Sequence, residues 1–244
     1  MTVALVRNLA LFLCACLPLH AQVATVRGRV EVAGATPGQK NGPLPATVIW
    51  LTPVPGSVNG PVPEQPATPP GLKLLQRNKK FEPHLLVVPA GAVVEFPNHD
   101  PFFHNVFSLF EGKRFDLGLY EAGTSRMVHF DRPGVSYIFC NIHPEMSAII
   151  ITLATPYYSI AGSDSELNLT NIPYGRYLLN VWSEGAAPES KQPAPREITI
   201  GESNVSLGVI RVPSLHGQAL AHKNKYGRDY EAPTPDNPAY HQQP

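Results

Sequence analysis

Short apolar or alternating runs, each bounded by Gly, Pro, Asn or Asp, recur along this chain. They are TVRGRVEV from Thr25, ATVIWLTP from Ala46, HLLVVP from His84, AVVEFPN from Ala92, HNVFSLF from His104, SRMVHFD from Ser125, VSYIFC from Val135, SAIIITLA from Ser147, GRYLLNVWS from Gly175, REITI from Arg196 and VSLGVIRV from Val205. A period of two marks strands, and no long stretch sustains the 3.6-residue apolar period of a helix. Eleven such runs are too many for one small sheet, and their spacing suits one or two sandwiches. An all-β protein is expected.

Composition supports that expectation, because 27 prolines and 19 glycines in 244 residues supply turns and interrupt helices. Seven prolines between Pro53 and Pro70, mixed with Gly, Ser and Asn, predict an extended linker. From Pro213 onward the chain is polar and poor in aliphatics, too poor to offset its ordering entropy, which predicts a mobile tail. The formal net charge is zero, with 19 basic and 19 acidic residues, so nothing argues for a nucleic-acid or membrane-surface partner.

The N-terminus, MTVALVRNLALFLCACLPLHAQ, has one arginine, an apolar stretch from Leu9 to Leu19 and then Leu19-His20-Ala21, the layout of a cleavable secretory signal over residues 1–21. LCAC, ending at Cys16, offers the alternative of a degenerate lipoprotein box, although LPL is an unusual start for a mature chain. Both readings take the protein out of the cytoplasm, to the periplasm or beyond. No later run approaches the length of about 18 residues that spans a bilayer. Loss of the signal removes Cys14 and Cys16 and leaves Cys140 alone. A lone thiol in an oxidising compartment is liable to oxidation unless it is buried or ligated.

FCNIHPEM, residues 139–146, supplies a reason to keep that thiol. Cys140 ends the strand-like VSYIFC, in which Tyr137 and Phe139 share one face and Ile138 and Cys140 the other. Asn141 to Glu145 are turn-like, so a strand, a tight loop and a strand carry Cys140, His143 and Met146. Thiolate, imidazole and thioether form the soft donor set that suits copper. Upstream, NHDPFFHNVFS offers His99 and His104; His104 opens a strand-like run and is preferred over His99, which sits in the NHDP turn. A second imidazole would complete a His2Cys site with a weak axial Met. Cys, His at +3 and Met at +6 are expected by chance on the order of 0.001 times in a chain of this composition. The bland alternative makes Cys140 a small core residue, His143 a loop residue and Met146 core filler. A Cys-His nucleophile has less support, because no helix N-terminus, orienting partner or oxyanion hole is evident.

FPNHDPFFHNVFS followed by FDRPGVSYIFCNIHPEM resembles the copper-site halves of the cupredoxins, the small blue-copper proteins. The short Cys-x2-His-x2-Met loop is most similar to amicyanin and its methylamine-utilisation-type relatives. The resemblance covers roughly residues 72–155, where KLLQRNKKFEPHLLVVPAGAVVEF resembles the opening strands. It implies one type 1 copper ion with His104, Cys140 and His143 as equatorial ligands and Met146 as the axial one. Asn105 would act from outside the ligand set, tying the two ligand loops together by hydrogen bonding near the sulfur. The segment FSLFEGKRFDLGLYEAGTSRMVHFD is longer than its amicyanin counterpart, so the departure from that family is expected at the surface around the site and not in the ligand set.

The flanks resemble a second module: ATVRGRVEV and GPLPATVIWLTP look like opening strands of a carboxypeptidase-regulatory-like, or transthyretin-like, domain, and ELNLTNIPYGRYLLNVWSEG like its later ones. Ser165-Glu166 stands where that family usually has Asp-Gly. The expected fold is a cupredoxin Greek-key β-sandwich plus a second, smaller transthyretin-like β-sandwich. Its order is a signal over 1–21, opening strands and linker over 22–71, the cupredoxin over 72–155, the second sandwich over 156–212 and a mobile tail over 213–244. The cupredoxin would sit as an insert in a discontinuous second sandwich; in the competing arrangement residues 24–55 simply add strands to the cupredoxin sheets.

The function implied is single-electron transfer between periplasmic redox partners, without enzymatic chemistry. His143 is the expected exit point, rimmed by Phe102, Phe103 and Pro144, since weak redox encounters use small interfaces. Two other classes stay open: a copper-binding or delivery protein using the same donors, and a cell-envelope interaction module with a vestigial copper site. His84, His129, His216, His222 and His241 have no ligand-like spacing, and Trp50 and Trp182 read as core.

Overall fold

The computed structural model describes residues 22–34, 44–60, 68–109, 112–162, 164–186, 192–214 and 222–230. The expected signal segment, with Cys14 and Cys16, lies outside the described residues, as do His216 and His241. Two strands open the chain, β1 (Val23–Val32) and β2 (Thr47–Pro53). The middle holds β3 (Leu75–Arg77), β4 (Lys80–Glu82), β5 (Leu85–Pro89), β6 (Ala92–Pro97), β7 (His104–Ser108), β8 (Phe115–Tyr120), β9 (Ser125–Phe130), β10 (Gly134–Cys140) and β11 (Ser147–Leu153). The remainder are β12 (Tyr158–Ile160), β13 (Glu166–Pro173), β14 (Gly175–Ser183), β15 (Arg196–Ile200) and β16 (Asn204–Val212). The protein is all-β, and the one helical element among the described residues is a 3-10 turn at Glu184–Ala186.

Strand pairing separates the flanks from the middle. The sheets β13-β1-β16 and β12-β2-β14-β15 draw only on residues 23–53 and 158–212. Their facing sides bury Val26, Val30, Ile49, Leu51, Leu169 and Tyr177. The beginning of the Pro-rich stretch is docked here, with Asn59 N–H donating to the Tyr174 carbonyl at 2.7 Å and Val58 packed against the same core. Between the flanks, the five-stranded sheet β5-β11-β10-β7-β8 faces the ribbons β3-β4 and β6-β9. Leu74, Val94, Phe96, Val106, Ile138 and Ile150 fill that second core.

A third core joins the two sandwiches. Val135, Tyr137 and Phe139 of β10 and Ile149 and Ile151 of β11 pack with Val48 and Trp182, while Ile138, Cys140 and Ile150 point the other way into the second core. The sheet is thus covered on both faces, which is why VSYIFC and SAIIITLA are apolar at almost every position. Trp50 packs against the same shared core. His84 Nε2 lies 2.8 Å from Glu184 Oε1 and bridges the two units beside it.

The segment expected as a mobile tail differs from that expectation over residues 222–230. His222 stacks on Phe139 with ring centres 3.8 Å apart, and Lys225 pairs with Asp116 at 2.7 Å. The expectation weighed aliphatic content alone; this segment is held by two rings and a paired lysine instead.

Candidate metal centre

His104 opens β7 and Cys140 ends β10. The two strands pair antiparallel, with Cys140 opposite Val106, so the histidine and the cysteine meet at one end of the sheet. The loop that follows folds back on itself: Met146 N–H donates to the His143 carbonyl at 3.1 Å and Cys140 N–H to the Met146 carbonyl at 3.3 Å. This closure turns His143 back toward Cys140.

The Cys140 Sγ lies 3.5 Å from His104 Nδ1 and 3.6 Å from His143 Nδ1. All three donor atoms fall within 4.8 Å of one another, and all three residues are buried. Met146 is fully buried in the same core cluster as Cys140. His99 is turned away, with its ring Nδ1 3.5 Å from an Arg77 nitrogen.

Two imidazole nitrogens facing one sulfur make an arrangement that a single thiol proton cannot satisfy, since it bonds to only one of them. A cation satisfies both. With bond lengths of about 2.3 Å to sulfur and about 2.05 Å to nitrogen, and angles between tetrahedral and trigonal, the sulfur and each nitrogen would stand about 3.6–3.8 Å apart. The observed 3.5 and 3.6 Å lie at or just below the short end of that range, and the residues fit a first-row metal ion.

Around the donors stands a second set of groups. His104 Nε2 donates to Asp100 Oδ2 at 2.9 Å, which fixes Nδ1 as the lone-pair nitrogen facing Cys140. Asp100 in turn accepts from the backbone N–H groups of Asn78 and Lys79, the latter at 3.0 Å. Those residues form the β3-β4 turn with φ of 54° and 55°. That pair of positive φ angles is a type I′ hairpin signature, and it points two amides at one carboxylate. Sequence reasoning missed Asp100; the signal was its place four residues before His104 in NHDPFFH.

Asn105 meets the ligand loop through its backbone. Its carbonyl accepts from Asn141 N–H at 2.8 Å, and its N–H bonds to the Cys140 side chain, as do those of Ile142 and His143. The Asn105 side chain points elsewhere, donating to Asp116 Oδ1 at 2.7 Å and the Gly118 carbonyl at 3.0 Å.

Burial sets the protonation states. It raises the Cys140 thiol pKa, with the Asn105, Ile142 and His143 amides opposing and Glu145 adding to the rise. It lowers His143 to about 4, with His104 and Lys79 adding to the effect. It lowers His104 too, against the pull of Asp100. Burial would raise Asp100, but the Lys79 amide, His104 and the Asn78 amide outweigh it and hold the carboxyl below its ordinary value. Without a cation, the resting site is neutral imidazoles beside a protonated thiol.

His143, the expected exit point, is only 1% exposed. Phe102 covers it, with its ring centre 5.4 Å from both His143 and His104, and Lys79 Nζ sits 5.5 Å above the Phe102 ring. Pro144 is exposed and Phe103 half-buried.

No protein-family model and no curated protein matches the chain. Solved structures do resemble part of it. A copper-containing nitrite reductase from Thermus scotoductus SA-01 is 25% identical over 38% of this chain, with a TM-score of 0.33, and the chain spans a quarter (25%) of that enzyme. A purple cupredoxin from Nitrosopumilus maritimus is 21% identical over 34% of this chain and 99% of its own, with a TM-score of 0.31. A mutant amicyanin in its reduced Cu(I) form at pH 4 is 18% identical over 36% of this chain and 86% of its own, with a TM-score of 0.33. The reading of the site rests on its own geometry.

Proposed function

We propose that the protein is an exported carrier of single electrons that holds one type 1 copper ion. His104, Cys140 and His143 would be its equatorial ligands, Met146 a weak axial donor and Asn105 an outer-shell partner. The observation that carries this reading is the convergence of two imidazole nitrogens on one buried cysteine sulfur, with a buried methionine three residues beyond the second histidine. Thiolate and imidazole with a weak thioether form the donor set of blue-copper electron-transfer sites, where the bound ion supplies one-electron chemistry.

The chain's own contribution is to hold the donors still. Asp100 keeps His104 in one tautomer, the two closing hydrogen bonds hold the 140–146 loop in shape, and three backbone amides face the sulfur. Donors held this rigidly need little rearrangement when charge changes, which favours fast electron exchange.

Burial of all four side chains supports a carrier over an enzyme, because catalytic metal sites keep an open position for substrate. Burial also favours a retained ion over one handed on. An export address is supported by the signal-like residues 1–21, and no helix among the described residues is long and apolar enough to cross a membrane. The partner would be a one-electron redox protein, and the flanking sandwich would be a transthyretin-like module.

Voltammetry of the copper-loaded protein tests the reading. A reversible one-electron wave, with copper retained through repeated cycles, supports the carrier. Loss of copper to a Cu(I) chelator on first reduction would favour delivery instead.

A further inference from the structure

Residues 222–230 touch the site where the ligand loop begins, at Phe139, Cys140 and Asn141. Four side chains and backbones close a ring there. Lys225 Nζ pairs with Asp116 Oδ2 at 2.7 Å, and Asp116 Oδ1 accepts from Asn105 Nδ2 at 2.7 Å. The Asn105 carbonyl accepts from Asn141 N–H at 2.8 Å, and Asn141 Oδ1 accepts from Lys225 N–H at 2.9 Å.

A second attachment lies beside the ring. The Tyr230 hydroxyl donates to the Cys140 carbonyl at 2.8 Å, and its oxygen sits 2.9 Å from His222 Nε2. His222 stacks on Phe139, the residue before the cysteine, with an interplanar angle of 16°. The segment therefore grips Phe139, Cys140 and Asn141 in succession.

The ring matters because of what Asn105 does. Its N–H faces the Cys140 sulfur, and hydrogen bonds to a ligating sulfur tune both geometry and potential. Asn105 is held by its side chain to Asp116, and Asp116 is held by Lys225, whose side chain is only 18% exposed. The Asp116 side chain is 40% exposed, so the pair constrains through its place in the hydrogen-bonded ring and not through burial.

We propose that residues 222–230 are a strap that positions the cysteine end of the metal-ligand loop, Lys225 acting through Asp116 and Asn105 and Tyr230 through the Cys140 carbonyl. The proposal rests on reading the site as a metal centre, although the strap's grip exists in the metal-free protein. Lys225 and Tyr230 are positioning residues, since neither touches a donor atom.

The test is amide hydrogen exchange by nuclear magnetic resonance on the metal-free, full-length protein. The variants are Lys225→Met, Tyr230→Phe and, as a control, Lys223→Met, which alters an exposed lysine outside the ring. Expected is exchange of the Asn141 amide about tenfold faster in the first two and unchanged in the control, with amides of the flanking strands unaffected. The copper-loaded forms of the first two should also show a displaced thiolate-to-copper absorption band. Asn141 exchange within about twofold of the parent protein in both variants would overturn the strap, and so would uniform acceleration across all strands, which reports global destabilisation. A parent protein that takes no copper while the exchange pattern appears would sustain the strap and sink the functional reading alone.

Discussion

His104 Nε2 lies 2.9 Å from Asp100 Oδ2, and both residues are buried, with Asp100 4% exposed. The carboxylate thus selects which ring nitrogen faces the cysteine. Substituting Asp100→Asn keeps the size and an oxygen acceptor but removes the charge that supports a liganded imidazole. Metal affinity should fall about 10- to 100-fold, read by competition with a chelator of known strength; unchanged affinity would deny Asp100 this role.

Protons leave the site when a cation enters. Because His143 is held down to about 4 and His104 is also lowered, both rings are neutral near pH 8, whereas burial raises the Cys140 thiol and keeps it protonated there. Binding of Zn(II) at that pH should therefore release about one proton, that of the thiol. Calorimetry in buffers of different ionisation enthalpy measures the number. A value near zero would mean that Cys140 is not a ligand.

Phe102 roofs both histidines, so its removal should open the site without touching a donor. In Phe102→Ala a chelator should extract metal roughly tenfold faster, because the apolar shell around a metal site governs solvent access. Stopped-flow extraction compares the two proteins, and equal rates would show that access runs elsewhere.

The His84–Glu184 bridge gives stability a pH dependence. Its hydrogen bond to Glu184 raises the His84 pKa above 6.5, with burial opposing. A raised histidine contributes stability that is fully present below the unfolded value and is lost as pH rises through the folded one. The stability lost in Glu184→Gln, read from unfolding midpoints, should accordingly be larger at pH 6 than at pH 8.5, a parent-to-variant comparison in which the opposite pH dependence of the buried His104 and His143 cancels. The His84 side chain is 46% exposed, so the effect should be no more than about 1 kcal/mol.

Periodicity made the long strands legible. Tyr137 and Phe139 were separable from Ile138 and Cys140 by alternation alone, and the structure sends the two pairs to different cores. The three-residue strands β3, β4 and β12 are too short to show a period, and β8, FDLGLY, mixes exposed and half-buried positions because it lies at a sheet edge. His104 stood out over His99 because it opens a strand; Asp100 stands only four residues before it, but the two amides that hold its carboxylate come from a hairpin turn about twenty residues earlier, which no local pattern shows. The burial of His143 escaped the sequence for a related reason, since it depends on where Phe102 folds. Residues 222–230 were read by aliphatic content, whereas their contacts are a stacked ring, a phenol and a paired lysine, each needing a partner far away in the chain.

The most direct test of the central claim is an optical and electron paramagnetic resonance comparison of the Cu(II)-loaded protein with its Cys140→Ser variant. The account expects an intense thiolate-to-copper band and narrow hyperfine splitting in the parent, both absent from the variant. A weak, tetragonal-type spectrum that Cys140→Ser leaves unchanged would contradict it.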